Sequence, residues 1–194
     1  VFSAKGGKVL TRILAIDPGS RITGFGIIDV DAKGKIKYVN SGCIRLPDDV
    51  LSVRLKNIYL NVQTLFAEYN PDEFAIEEVF LAKNANSALK LGQARGAAIV
   101  VAALNDVFVH EYSAKRVKQS VVGSGSADKL QVQQMVQLLL SLDKSPQADA
   151  ADALAIALCH AHTRTASGLE YGTGKRALRN SGKRWTELDV RKIK

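Results

Sequence analysis

The sequence is short of the residues that mark several large classes of protein. Its 194 residues include two cysteines, Cys43 and Cys159. Both lie in apolar surroundings and read as reduced core residues, which excludes a secreted disulfide framework. With three histidines and no Cys/His cluster at ligand spacing, a zinc site is excluded as well. No apolar run reaches the roughly 18 residues of a membrane span, and no leader segment is visible. The expectation is therefore a cytoplasmic protein without membrane contact. Met135 is the one methionine, so the chain does not open on an initiator. Residues 1–10 read as a flexible N-terminal extension.

Charge is present in one sign more than the other. The net charge is +8, but it is unevenly spread. Residues 164–194 hold nine basic and three acidic side chains, whereas the rest of the chain has eighteen and sixteen. The division predicted is one nearly neutral body over residues 11–163 and a flexible basic tail over 164–194. Such a tail favours an anionic partner, nucleic acid above all; a solvated terminus without a role is the plainer reading.

The body alternates strand and helix. Residues 12–17, 22–30 and 35–46 read as strands in hairpin order, and apolar residues at helical spacing mark 50–69 as a helix that Asn70-Pro71 stops. Residues 73–79 form a short strand, 84–104 a helix rich in alanine and glycine, and 106–111 a fifth strand. Helices over 113–121 (Ser113 as N-cap), 128–140 and 148–162 complete the body. This order predicts an α/β protein with a five-stranded mixed sheet flanked by helices. The small side chains of 84–104 would let a second helix approach closely, either a copy from another chain or a neighbour in the same subunit.

Four acids stand out. Asp17 ends the apolar run Ile13-Leu14-Ala15-Ile16, where an unpaired charge is costly. Glu77 and Glu78 lie in the fourth strand, and alternation allows only one of them to share a face with Asp17. Asp149 and Asp152 are spaced i, i+3 on one face of the last helix. Alone they fit ordinary helix N-terminal acids, but their neighbours are almost all apolar. A set of oxygen donors without thiolate or imidazole suits a hard cation, Mg²⁺ or Mn²⁺. Two such ions about 3.5–4 Å apart would serve in-line attack on a phosphodiester. Without metal, the crowded carboxylates should repel, and at least one should hold a proton more readily. His160 could approach the same helical face, though a structural or surface role suits it better.

These motifs resemble those of the RuvC family of Holliday-junction resolvases. Ile16-Asp17-Pro18-Gly19-Ser20-Arg21-Ile22-Thr23-Gly24-Phe25-Gly26 is similar to its first motif, the segment from Ala75 to Gly96 to its second, and Gln147 to Ala157 to its last. The resemblance implies an RNase H-like fold and a homodimer that cuts four-way DNA junctions with Mg²⁺ in recombination and repair. A branch-migration motor of the RuvA–RuvB type is the implied partner. By motif position the catalytic, metal-holding acids are Asp17, Glu77, Asp149 and Asp152, which selects Glu77 over Glu78. Phe80 falls at the aromatic position implicated in stacking on an unpaired base, and Lys118 and Lys129 at basic positions near the site and the DNA. Lys83, Lys90, Arg95, Lys115 and Arg116 are further candidates to line the DNA path. The alternatives are another RNase H-like nuclease and a non-catalytic junction-binding module, which would have lost a carboxylate. A sugar-kinase or actin-like ATPase is a third, suggested by Asp17-x-Gly19 and Gly24, but it needs a second lobe.

Overall fold

A computed structural model describes residues 10–79 and 85–167. Five strands, β1 (Thr11–Asp17), β2 (Ile22–Val30), β3 (Ile36–Arg45), β4 (Glu73–Glu77) and β5 (Val109–Tyr112), form one sheet in the order β3-β2-β1-β4-β5. The β1–β2 and β2–β3 pairs are antiparallel, and β4 runs parallel to both β1 and β5. The sheet is thus mixed, as its hairpin-then-alternating order predicts.

Alternation along β1 and β4 divides the core into two layers. Leu14, Ile16, Phe74 and Ile76 face α1 (Leu51–Tyr69) and α2 (Ala85–Leu104). Ile13, Ala15 and Ala75 face α3 (Ala114–Val122), α4 (Lys129–Leu139) and α5 (Ala148–Ser167). α5 crosses β1 and β2 and buries Leu154, Ile156 and Leu158 almost completely. Each such side chain contributes about 1.5–3 kcal/mol on leaving water. A change of Leu154 to alanine would therefore open a void under the N-terminal half of α5.

Local chemistry sets the helix ends. Ser113 caps α3 by accepting from the Arg116 amide, and Asp128 with Gln131 forms a capping box at the start of α4. That box holds Lys129 at the first position of α4. Asn70 closes α1 in a left-handed conformation, φ 45°. At the end of α2, Asp106 adopts φ 57° and the Val107 amide returns to the Ala102 carbonyl. These residues belong to the helix stop, so β5 starts at Val109 rather than at 106. α5 runs on to Ser167, beyond the expected end at 162, and Arg164 in its last turn forms an ion pair with buried Glu73.

α2 departs from expectation in one respect. By length and composition Asn86–Leu104 is apolar enough to cross a membrane, and only 28% of it is buried. Here it packs on α1 and the sheet. Leu89, Gly92, Val100 and Leu104 are exposed along its outer side, and a Cβ added at Gly92 or Gly96 would meet open space.

Candidate active site

Asp17 and Glu77 end β1 and β4, which run side by side in parallel. The carboxyl ends of neighbouring parallel strands are where open α/β sheets place their sites. Both residues continue the alternation of Ala15 and Ala75, so they point to the α5 side. The packing of Ala75 against α5 decides what sequence alternation left open: Glu77 shares the face of Asp17, and Glu78 does not. Asp152 projects from the second turn of α5. Asp17, Glu77 and Asp152 line one cavity of about 250 Å³ with Lys118 of α3 and Lys129 of α4.

Asp149 stands one helical turn from Asp152 and outside the cavity lining. Its carboxylate is near enough to oppose ionisation of Asp17. Its main chain explains a glycine. A Cβ at Gly24 would lie 2.0 Å from the Asp149 carbonyl oxygen, and one at Gly26 would lie 2.8 Å from the Leu154 nitrogen. These glycines let α5 cross β2 in contact with its backbone. Helix packing therefore accounts for them without the phosphate-binding hairpin of the ATPase alternative.

The electrostatics are those of like charges drawn together. Burial is the main cause that raises Asp17 from 3.8 to about 7, with Glu77 and Asp152 adding to it. Glu77 is raised by burial and then by Asp152, against the opposing pull of Lys129 and Lys118. Lys129 donates to Asp152 Oδ2 at 3.1 Å, and this hydrogen bond holds its ammonium above the usual lysine range. The expected proton-holding carboxylate is thus Asp17.

The donor types fit a hard divalent cation, since the cavity offers carboxylates and neither thiolate nor imidazole. Among the described residues, no three His, Cys, Asp or Glu side chains already close around a common point as a metal cage would. The acids form an open set, and the cation that Asp152 faces is Lys129.

The other expected residues fall variously. Phe80 and Lys83 lie outside the described residues. Arg95 is engaged within the subunit. Its Nε donates to the Glu77 carbonyl at 3.1 Å, and its guanidinium pairs with Glu111. Lys115 and Arg116 line a separate polar groove with Ser113, Gln119 and Ser120 on another side of α3. His160 is structural: Nδ1 meets the Tyr112 hydroxyl at 2.6 Å and Nε2 meets Glu73 at 2.8 Å. Sequence reasoning passed over Glu73, although an acid four residues before Glu77 in a strand must share its face.

The segment that matches known proteins contains these residues. The profile of the family described as "Crossover junction endodeoxyribonuclease RuvC" matches residues 13–160. The RuvC of Marinobacter nauticus is 61% identical over 150 residues, 77% of this chain and 85% of that one. That of Tolumonas auensis is 56% identical over 174 residues, 88% of this chain and all of that one (100%). The solved structure of T. thermophilus RuvC in complex with Holliday junction substrate superposes with a TM-score of 0.74 at 32% identity, covering 81% of this chain and 97% of that one. The yeast mitochondrial Holliday junction resolvase, 15% identical with a TM-score of 0.60 and 86% of each chain covered, shares the fold. The mixed sheet flanked by helices is RNase H-like, and by family profile, sequence identity and fold the chain belongs to the RuvC family of crossover junction endodeoxyribonucleases.

Proposed function

We propose that this protein is a structure-selective endonuclease that resolves four-way DNA junctions by paired, Mg²⁺-dependent phosphodiester hydrolysis. The observation that carries the reading is the meeting of Asp17, Glu77 and Asp152 in one cavity flanked by Lys118 and Lys129, in a chain of this family. Asp17, Glu77, Asp152 and Asp149 are the residues that would hold Mg²⁺ or Mn²⁺, two ions per site. Held by these carboxylates, the metal would supply an activated water and neutralise charge on the leaving oxygen. Lys118 and Lys129 attract the phosphate and stabilise charge that develops on it. Phe80 stacks on an unpaired base at the crossover. The basic residues that follow α5 add non-specific attraction to DNA.

A four-way junction is close to two-fold symmetric, and a C2 dimer presents two identical sites to opposed strands. α2 is the proposed contact. Its outer stripe of Leu89, Gly92, Gly96 and Val100 combines exposed apolar side chains with glycines that have open space above them. Ala88 faces inward and is 7% exposed, so Gly96→Arg, not Ala88→Arg, is the variant expected to give monomers in sedimentation. The cellular setting that suits this activity is the cytoplasm, beside a RuvA–RuvB-type branch-migration complex.

The test is cleavage of an immobile four-way junction and a matched duplex, with Mg²⁺ and with chelator. Paired cuts in the junction alone, and only with metal, are expected. Equal cutting of both substrates would defeat the reading.

A further inference from the structure

We infer that Arg95 is a positioning residue for Glu77, holding the end of β4 through its main chain from the opposite side of the sheet. This inference rests on the reading of Glu77 as a metal-holding acid. Glu77 sends its carboxylate toward α5, while Arg95 comes from α2 on the other face. Arg95 Nε donates to the Glu77 carbonyl oxygen at 3.1 Å, and its NH2 group pairs with the carboxylate of Glu111 in β5. The guanidinium therefore bridges the ends of two adjacent strands.

The anchor falls where the sheet gives out. Pairing of β4 with β1 ends at Ile16 and Ile76, one residue before Glu77. On the β5 side the last bond runs from the Glu78 amide to the Tyr112 carbonyl, 2.9 Å. Beyond that point the chain leaves the sheet. Without Arg95, the Glu77 carbonyl would lose the charge-assisted bond that fixes the last peptide of the strand. A small swing of that peptide displaces the carboxylate at its other side.

Arg95 acts through geometry rather than through charge. The groups that shift Glu77 are Asp152, Lys129 and Lys118, and Arg95 is not among them. Nor does Arg95 line the cavity. Lysine in its place would keep the charge and most of the stem, but it lacks the fixed Nε–H that donates to the Glu77 carbonyl. Glu111 is partly exposed, its side chain 47% accessible. Its loss should leave the Nε bond in place.

The experiment compares wild type, Arg95→Lys and Glu111→Ala as purified full chains. Mn²⁺ titration of the metal-free protein, junction affinity in chelator, thermal unfolding and Mg²⁺-dependent cleavage are read for each. For Arg95→Lys, the half-saturating Mn²⁺ should rise about 10–100-fold, with junction affinity and cooperative unfolding retained. Glu111→Ala should bind Mn²⁺ as wild type does. An Arg95→Lys isotherm that matches wild type overturns the inference, and so does a loss in Glu111→Ala as large as that in Arg95→Lys. Should Arg95→Lys fail to unfold cooperatively, the Arg95→Gln isotherm decides on the same terms. If wild type neither binds Mn²⁺ nor cuts the junction, the reading of Glu77 itself fails and this inference goes with it. If wild type does both and Arg95→Lys equals it, only the inference falls.

Discussion

The two ends of β4 carry the same residue on the same face and treat it in opposite ways. Glu73, at the start, is buried and fully partnered: His160 Nε2 lies 2.8 Å from Oε2 and Arg164 Nε lies 3.0 Å from Oε1. Glu77, at the end, shares a cavity with Asp17 and Asp152, acids of the same charge, with Lys118 and Lys129 at the margin. A buried carboxylate with cationic and hydrogen-bonding partners is held in place. A buried carboxylate among carboxylates is unstable until a cation arrives. The difference separates what ties α5 to the sheet from what we propose acts on a substrate. α5 takes part in both, with Asp152 at one end and His160 two turns further along. The distal end is also lined by rings: His110 lies 4.3 Å from the His160 ring, and burial together with His160 lowers His110 to about 4.

Substitution of the acids at the carboxyl end is the strongest way to sharpen this contrast. Asp17→Asn, Glu77→Gln, Asp149→Asn and Asp152→Asn should each lower the junction-cleavage rate about 10³-fold, the equivalent of several kcal/mol of lost charge stabilisation. Junction binding in gel shifts should persist. Asp149 is the most informative of the four, because it stands outside the cavity lining; full activity in Asp149→Asn would confine the site to the other three.

Stability should respond in opposite directions at the two ends. For Asp17 the sign is set by a native value of about 7 against 3.8 for the free side chain. The native state then binds the proton more tightly than the unfolded state. This contribution to stability is present below about 4 and is lost as pH rises through about 7. In chelator, Asp17→Asn should therefore gain on wild type as pH rises from 4 to 8, by at most about 4 kcal/mol. Denaturant unfolding at several pH values measures it, and a constant difference would contradict it. At the other end, His160→Phe removes a partner from both Tyr112 and Glu73. It should destabilise the protein by about 1–3 kcal/mol for each hydrogen bond lost at a buried group, seen as a lower denaturant midpoint. An unchanged midpoint would mean that the distal cluster does not tie α5 down.

The smallest effect belongs to the margin. Lys118→Ala should flatten the salt dependence of junction binding by about 0.9 in log K against log salt if Lys118 meets one phosphate. An unchanged slope combined with slower cleavage would move Lys118 from binding into the chemistry.

The comparison also shows what could be read from the chain beforehand. Strand and helix order was legible because apolar periodicity is strong from Thr11 to His162, and the sheet follows it. The four acids were visible as charges in apolar company. The choice of Glu77 over Glu78 needed the family resemblance, since alternation fixes parity but not which face meets α5; Ala75 packed against α5 supplies that. Arg95 looked like one more basic residue near DNA, because nothing in local sequence shows a guanidinium reaching a carbonyl eighteen residues away. His160 and Glu73 are separated by 87 residues, so only the crossing of α5 over the sheet could join them. The start of β5 was misplaced because Asp106 takes a left-handed conformation at the end of α2, and aspartate does not announce that stop as glycine would.

The central claim is that Asp17 and its neighbours form a cation centre kept partly protonated until metal binds. Calorimetric titration of the metal-free protein with Mn²⁺ at pH 7, repeated in buffers of different ionisation enthalpy, tests it most directly. The account predicts saturable binding with proton release, both lost in Glu77→Gln. Binding of equal strength in Glu77→Gln, or binding without proton release, would contradict it.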